Sequence, residues 1–261
     1  MLKAVWNYRQ FILATIRNDF RGRFARSSLG AMWFILHPLA QATIFALVLS
    51  EVLGAKLPNH SSSSAYAIYL MAGMAAWGLF SELVTRSCSI FIDYSGSLKK
   101  IAFPRLSLPI VVLGSALVNH ILLLAAILVV FLFFGHLPGN AWLAIPIGIV
   151  CICSLGFGIG LILGVFNVFS RDVGQVLGVV MQIWFWVTPV VYTANVIPAR
   201  FTWITELNPM VNVVAIYQNA LLYNKWPDLS KLTTPFAVGI FLMVVAYALF
   251  RRASPELVDA L

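Results

Sequence analysis

Long apolar runs alternate with short polar stretches along this chain, and their lengths suit membrane spans better than a soluble core. A window of roughly 19 residues picks out six runs, at 30–53, 65–85, 108–134, 141–166, 173–192 and 234–250. At about 1.5 Å per helical residue each is long enough to cross roughly 30 Å of hydrocarbon. The pattern therefore predicts an all-α polytopic membrane protein with six transmembrane helices.

Two segments depart from that rhythm. Residues 4–24 have helical periodicity, with Val5, Tyr8, Ile12, Ile16 and Phe20 on one face. Asn7, Gln10, Ala14, Arg17, Asn18 and Arg21 fall on the other, and Phe11 and Arg23 break the pattern. This predicts a basic amphipathic helix in the cytoplasmic interface, held to membrane lipid, whose polar face could also dock a partner. Residues 207–223 are largely apolar and open on Asn208-Pro209, a helix-start signal. A seventh crossing there would strand Arg251 and Arg252 outside, so 194–223 is expected to form outer re-entrant or interfacial helices. The expected organisation is a single transmembrane domain over 1–261, comprising the interface helix at 1–28, a six-span bundle over 30–250 and the re-entrant segment.

Composition agrees. Hydrophobic residues make up 61% of the 261 and charged residues 10%, and mean hydropathy is +0.92. A soluble surface has no place for so much apolar area. The net charge of +8 marks orientation rather than nucleic-acid binding, because the basic residues sit at the edges of apolar runs. Twelve lie on one side (Lys3, Arg9, Arg17, Arg21, Arg23, Arg26, Lys99, Lys100, Arg105, Arg171, Arg251, Arg252), against Lys56, Arg200, Lys225 and Lys231 on the other. Both termini are therefore expected on the cytoplasmic side of an inner membrane. Five arginines precede any long apolar run, so no cleavable signal peptide is expected and the first span directs insertion. Cys88, Cys151 and Cys153 lie in or near apolar runs without ligand partners at metal spacing.

Polar and aromatic residues inside spans are the candidate functional groups. Trp33, His37, Gln41 and Glu51 share a stripe of the first span; Tyr66, Tyr69, Gly73, Trp77 and Phe80 share one of the second. Gln175, Gly178, Gln182, Trp186 and Pro189 do the same in the fifth. Such stripes fit either helix packing or a common pathway whose rings stack on sugars, and Tyr66, Tyr69, Trp184 and Trp186 also suit an interfacial aromatic belt. Gly156, Gly160 and Gly164 predict close packing of the fourth span within the subunit, with a dimer contact as the alternative. Glu82 and Arg86 form an i,i+4 pair expected to point away from the aromatic stripe as a structural bridge.

Lys99, Lys100 and Arg105 stand at the inner mouth of the second and third spans, either setting orientation or receiving an anion such as a pyrophosphate. Arg171-Asp172, in the short loop 167–173, could report partner movement to the fifth span. No G-x-x-x-x-G-K-[ST] loop, H-E-x-x-H, G-x-S-x-G or kinase set occurs. The four histidines, His37, His60, His120 and His136, are scattered, and His120 reads as a satisfied interior group. Uphill movement of a substrate would need energy from another chain or an ion gradient.

The stretch Arg23-Phe24-Ala25-Arg26-Ser27-Ser28-Leu29-Gly30-Ala31-Met32-Trp33 with His37-Pro38-Leu39 resembles the approach to the first span in permease subunits of polysaccharide ABC exporters. Phe103-Pro104-Arg105, Arg171-Asp172, Thr188-Pro189-Val190-Val191-Tyr192, Ile197-Pro198 and Asn208-Pro209 follow in that family's order, over almost the whole chain. The likeness is greatest to O-antigen (lipopolysaccharide) export permeases. It implies a homodimer paired with two copies of a separate nucleotide-binding ATPase, with ATP and Mg on that partner and no cofactor on this chain. The implied cargo is a polysaccharide on undecaprenyl pyrophosphate, moved from cytoplasm to periplasm; capsule, teichoic acid and small molecules stay open. The implied path runs by Trp33, His37, Gln41, Tyr69, Trp77, Phe80, Gln182 and Trp186. A gate helix maps to about 95–103, and ATPase coupling falls to the amino-terminal helix with Arg17 and Arg21 and to the inner loops with Arg171 and Asp172. The competing enzyme reading, an integral-membrane polyprenyl-sugar transferase, would want paired carboxylates or a metal-binding acidic motif, and Glu51 and Glu82 on separate helices do not supply one.

Overall fold

The computed structural model describes residues 6, 8–24, 28–33, 36–37, 40, 43–44, 63–96, 107–133 and 135–256. The elements among them are all helical. In chain order the α-helices are α1 (Arg9–Phe24), α2 (Ser63–Asp93), α3 (Ser107–Phe133), α4 (Ile145–Phe169), α5 (Asp172–Val187), α6 (Thr202–Leu207), α7 (Pro209–Leu221) and α8 (Thr233–Ala253). Short 3-10 turns at Gly30–Met32, Asn140–Ala144, Ala194–Val196, Ala199–Phe201 and Leu229–Leu232 join or precede them.

Among the described residues four helices are long and apolar enough to cross a membrane: Ala65–Asp93, Ser107–Leu132, Asn140–Phe169 and Leu229–Ala253. The expected count of six is therefore met only in part. Most of the run at 30–53 lies outside the described residues, with Gln41 and Glu51, as do His60, Lys99, Lys100, Arg105 and most of the 95–103 gate segment. The fifth run forms a helix of 16 residues rather than a span reaching 192. Proline explains the early stop: Pro189 has no N–H to donate and biases Thr188, at ψ 130°, away from the helix. The second span errs the other way. Its helix runs on from 85 to Asp93, giving 31 residues and a length of about 46 Å.

α2 is the hub, packed by α3, α4, α5 and α7, while α8 lies along α4. Its best window has a mean hydropathy of 1.5 and is 72% buried, against 2.0 and 22% for the peripheral α8. Lipid demands apolar side chains on every exposed position, whereas a helix walled by protein can carry tyrosine, serine and glutamate whose partners are other side chains. A second apolar cluster closes the 93 end of α2, where the Phe91 and Phe250 rings stack at 5.7 Å and 17° beside Leu108, Phe157 and Leu161.

The glycine stripe of α4 forms the closest seam. Gly156, Gly160 and Gly164 all face α2, and side chain there would meet Phe80, Leu83, Val84 or Ser87. The packing expected within the subunit is what these glycines do. His120 Nε2 and Tyr217 Oη lie 2.9 Å apart in the interior, so that histidine is paired as expected.

α7 begins where Asn208-Pro209 said it would, with the Asn208 side chain accepting from the Met210 amide at 3.0 Å. Its 13 residues extend about 20 Å, and Met210, Val213, Val214, Tyr217 and Leu221 are buried against α2 and α4. Protein thus shields its backbone.

Candidate functional site

The predicted aromatic stripe of α2 divides into two structures with different work. Its first half holds chain. Beyond α5 the backbone at 188–192 is irregular, leaving carbonyls that a low-dielectric interior must satisfy. Gln218 Nε2 donates to the carbonyls of Pro189 and Val190 at 3.1 and 3.3 Å. The hydroxyls of Tyr66 and Tyr69 donate to those of Val191 and Tyr192 at 2.8 and 3.0 Å. Gly73 lets this clasp close: a Cβ there would stand 2.7 Å from the Val190 carbonyl oxygen and 2.9 Å from Gln218 Nε2. Tyr69 is therefore engaged with backbone, and its ring lies buried beside Tyr66.

The second half packs rings. Trp77 lies 5.5 Å from Phe80, 6.4 Å from Trp184 and 5.6 Å from Phe185, and Phe80 lies 5.0 Å from Trp184. All but the first of these pairs are edge-on, the arrangement favoured by ring quadrupoles. Trp184 Nε1 donates to Asn208 Oδ1 at 3.0 Å, and Asn208 Nδ2 donates to the Thr188 hydroxyl at 2.9 Å. Of the two α5 tryptophans, it is Trp184 that packs against α2. Two residues are about 200° of helix, so Trp186 points away, 58% exposed, with Gln175, Gly178 and Gln182 on the same open side.

Along the neighbouring face of α2 runs a groove of about 650 Å³. Met71, Met74, Ala75, Leu123, Ile127 and Phe185 give it an apolar body, and Trp77 forms its edge. Ser81, Glu82, Thr85, Arg86 and His37 give it a polar rim. The structure thus brings together His37 and Trp77 of the predicted path. Trp33 is exposed, as are Arg17 and Arg21 on α1 and Arg171 and Asp172 at the start of α5. Asp172 stands in the first turn of α5, where the helix dipole favours a negative charge.

Glu82 and Arg86 do pair, at 3.1 Å, but they line this groove with Trp77 rather than pointing away from it. Arg86 also binds Asp19 of α1 at 2.8 Å, and Asn119 of α3 donates to Glu82 at 2.9 Å. The i,i+4 spacing signalled the first pair. Asp19 and Asn119, 67 and 37 residues from their partners, had no such signal.

α1 itself is docked on protein. Ile12, Thr15, Ile16, Asp19 and Phe20, at helical spacing, are its buried or half-buried positions. They turn toward α3, where Ile16 sits on Gly114. Of the apolar stripe read from sequence, Ile12, Ile16 and Phe20 are on the docked face, Tyr8 is exposed and Val5 lies outside the described residues.

Comparison with known proteins supplies the family. The chain is similar to the O-antigen export system permease protein RfbA of Klebsiella pneumoniae, 28% identical over 246 residues that cover 92% of this chain and 91% of that one. It is similar to the protein of the same name from Myxococcus xanthus, 26% identical over 265 residues, 100% of this chain and 99% of that one. The polysialic acid transport protein KpsM of Escherichia coli is 22% identical over 214 residues, 80% of each chain. The profile of the ABC-2 type transporter family matches residues 10–222, and this chain belongs to that family.

Proposed function

We propose that this chain is the membrane permease subunit of an exporter that moves undecaprenyl-pyrophosphate-linked polysaccharide, with O-antigen as the cargo, from cytoplasm to periplasm. A homodimer of it would work with two copies of a separate ATPase that carries ATP and Mg. The similarity to O-antigen permeases over nearly the full chain supports the cargo, and membership of the ABC-2 type transporter family supports a separate ATPase. Six spans with both termini inside remain part of this reading, supported by the twelve inner basic residues. Lys99, Lys100 and Arg105 would receive the pyrophosphate at the inner mouth; charge complementarity supports this.

The observation that carries the conduit is the open face of α5. Gln175 and Gln182 are exposed on α5, a helix that is otherwise apolar beyond Asp172 in its first turn. Amides facing hydrocarbon are costly, so this face suits a watery path or a second copy far better than lipid. Trp186, on the same side, offers a flat surface for sugar rings.

The test is surface polysaccharide. Deleting the gene should strand lipid-linked polymer inside the source bacterium, and the gene on a plasmid should restore it to the surface. A deletion strain with normal surface O-antigen would refute the cargo; loss of capsule or teichoic acid instead would name the alternative.

A further inference from the structure

We propose that Asp19 and Arg86 form the positioning link through which movement of α1 reaches the groove. The inference rests on the exporter reading above. It begins with the two-sidedness of α1. Arg17 and Arg21 are exposed on one side of the helix, while Asp19, half-buried, faces the bundle. A partner engaging the outer arginines therefore pulls on a rod whose inner side is already attached.

The attachments differ in kind. Ile12 and Ile16 pack on α3 through apolar contact, which is non-directional and lets surfaces slide. Asp19 reaches a different helix, α2, by a charge-assisted hydrogen bond of 2.8 Å to Arg86. Such bonds are strong and fix direction as well as distance. The guanidinium spends its other terminal nitrogen on Glu82 at 3.1 Å, and Glu82 takes the Asn119 amide of α3 at 2.9 Å. One arginine thus ties α1 to α2 and, through Glu82, to α3, two of the elements that line the groove, and Arg86 and Glu82 are themselves part of its rim. All three charged side chains are between 22% and 25% exposed. They are screened less than surface pairs and are not so deep that breaking one must unfold the bundle. A displacement of α1 that keeps the Asp19–Arg86 bond moves the rim; one that loses it leaves the rim in place.

The experiment uses the full complex with its ATPase in proteoliposomes, with Asp19→Asn, which keeps shape and loses charge, and Asp19→Glu, which keeps charge. Co-purification reports assembly, and polymer exported per ATP hydrolysed reports coupling. Asp19→Asn should assemble and hydrolyse ATP yet export several-fold less polymer per ATP, and Asp19→Glu should recover most of it. Equal export per ATP in Asp19→Asn and the parent, or equal loss in the Asn and Glu variants, overturns the link. Spin labels at Asn18→Cys and Thr85→Cys on a cysteine-free background give a readout that needs no transport. Their distance should stay narrow through the ATP cycle in the parent and broaden in Asp19→Asn. Identical distributions overturn the link even if the parent exports nothing, an outcome that would separately sink the exporter reading.

Discussion

Replacing Gly160 by alanine tests the seam on which the bundle is built. An alanine Cβ would stand 2.7 Å from Ser87 Cβ, 2.8 Å from the Val84 carbonyl oxygen and 2.9 Å from that of Leu83. Two of these neighbours are backbone atoms of α2, which cannot rotate away as a side chain would. α4 must therefore back off by several tenths of an ångström along its contact with the central helix. Overpacking of this kind costs about 1–3 kcal/mol, against a gain of about 1 kcal/mol from alanine's better helix propensity. The backbone contacts put Gly160→Ala in the upper half of that range, about 2–3 kcal/mol, so the net expectation is a loss of about 1–2 kcal/mol, read as a lower unfolding midpoint in mixed micelles of rising SDS fraction. Gly178→Ala is the control, because nothing lies within 4 Å of its added Cβ; there the propensity gain stands alone and stability should hold or rise. A Gly160→Ala protein as stable as the parent, or less affected than Gly178→Ala, would refute the assignment of the glycine stripe to the α2–α4 contact.

Gln218→Leu removes the donor to two buried carbonyls and should cost about 2 kcal/mol at roughly 1 kcal/mol per bond, measured by the same unfolding assay; Tyr66→Phe should cost about half that. Trp184→Ala removes a half-buried ring and should lose about 2–3 kcal/mol, below the range for a fully buried tryptophan, and accumulate less in membranes. Trp186→Ala should fold normally and export polymer modestly less well, which surface-polysaccharide blots at equal membrane abundance would check. Asp228 accepts from the hydroxyl and amide of Ser230, which hold its carboxyl below the usual range. The stabilising contact is therefore present above the ordinary carboxylate range and is lost as pH falls through the depressed value; amide exchange at Ser230 should quicken there, and in Asp228→Asn it should show no such step.

Periodic features were readable in the chain, and contacts between distant groups were not. The glycines of α4, the docked stripe of α1 and the Asn208-Pro209 start of α7 all repeat or cap at fixed spacing, so local geometry dictates them. The clasp on 188–192 joins Tyr66 and Tyr69 to carbonyls 125 and 123 residues away. Side-chain bonds to backbone leave no pairing signal, and only Pro189 hinted that carbonyls would be freed there. The packing of Trp184 on α2 had no signal for a different reason. Polar residues in a span are taken to face inward, and that rule turned attention to Gln175 and Gln182, both of which are exposed. The ring that packs on α2 comes from the opposite side of the helix.

The position of α2 accounts for both ends of the molecule at once. A helix facing lipid must be uniformly apolar, so it can carry no side chains that hold other elements in place. α2, walled by protein over most of its length, is free to carry tyrosines near one end and a glutamate and arginine toward the other. Its tyrosines fix the irregular exit from α5, and its ion pair fixes α1. Any tilt of this one helix would act on the clasp and on the groove together, because a continuous 31-residue helix transmits rotation without an intervening loop. The low hydropathy of the second span, which on composition alone marks it as the weakest membrane segment of the four, is the chemical cost of that central role.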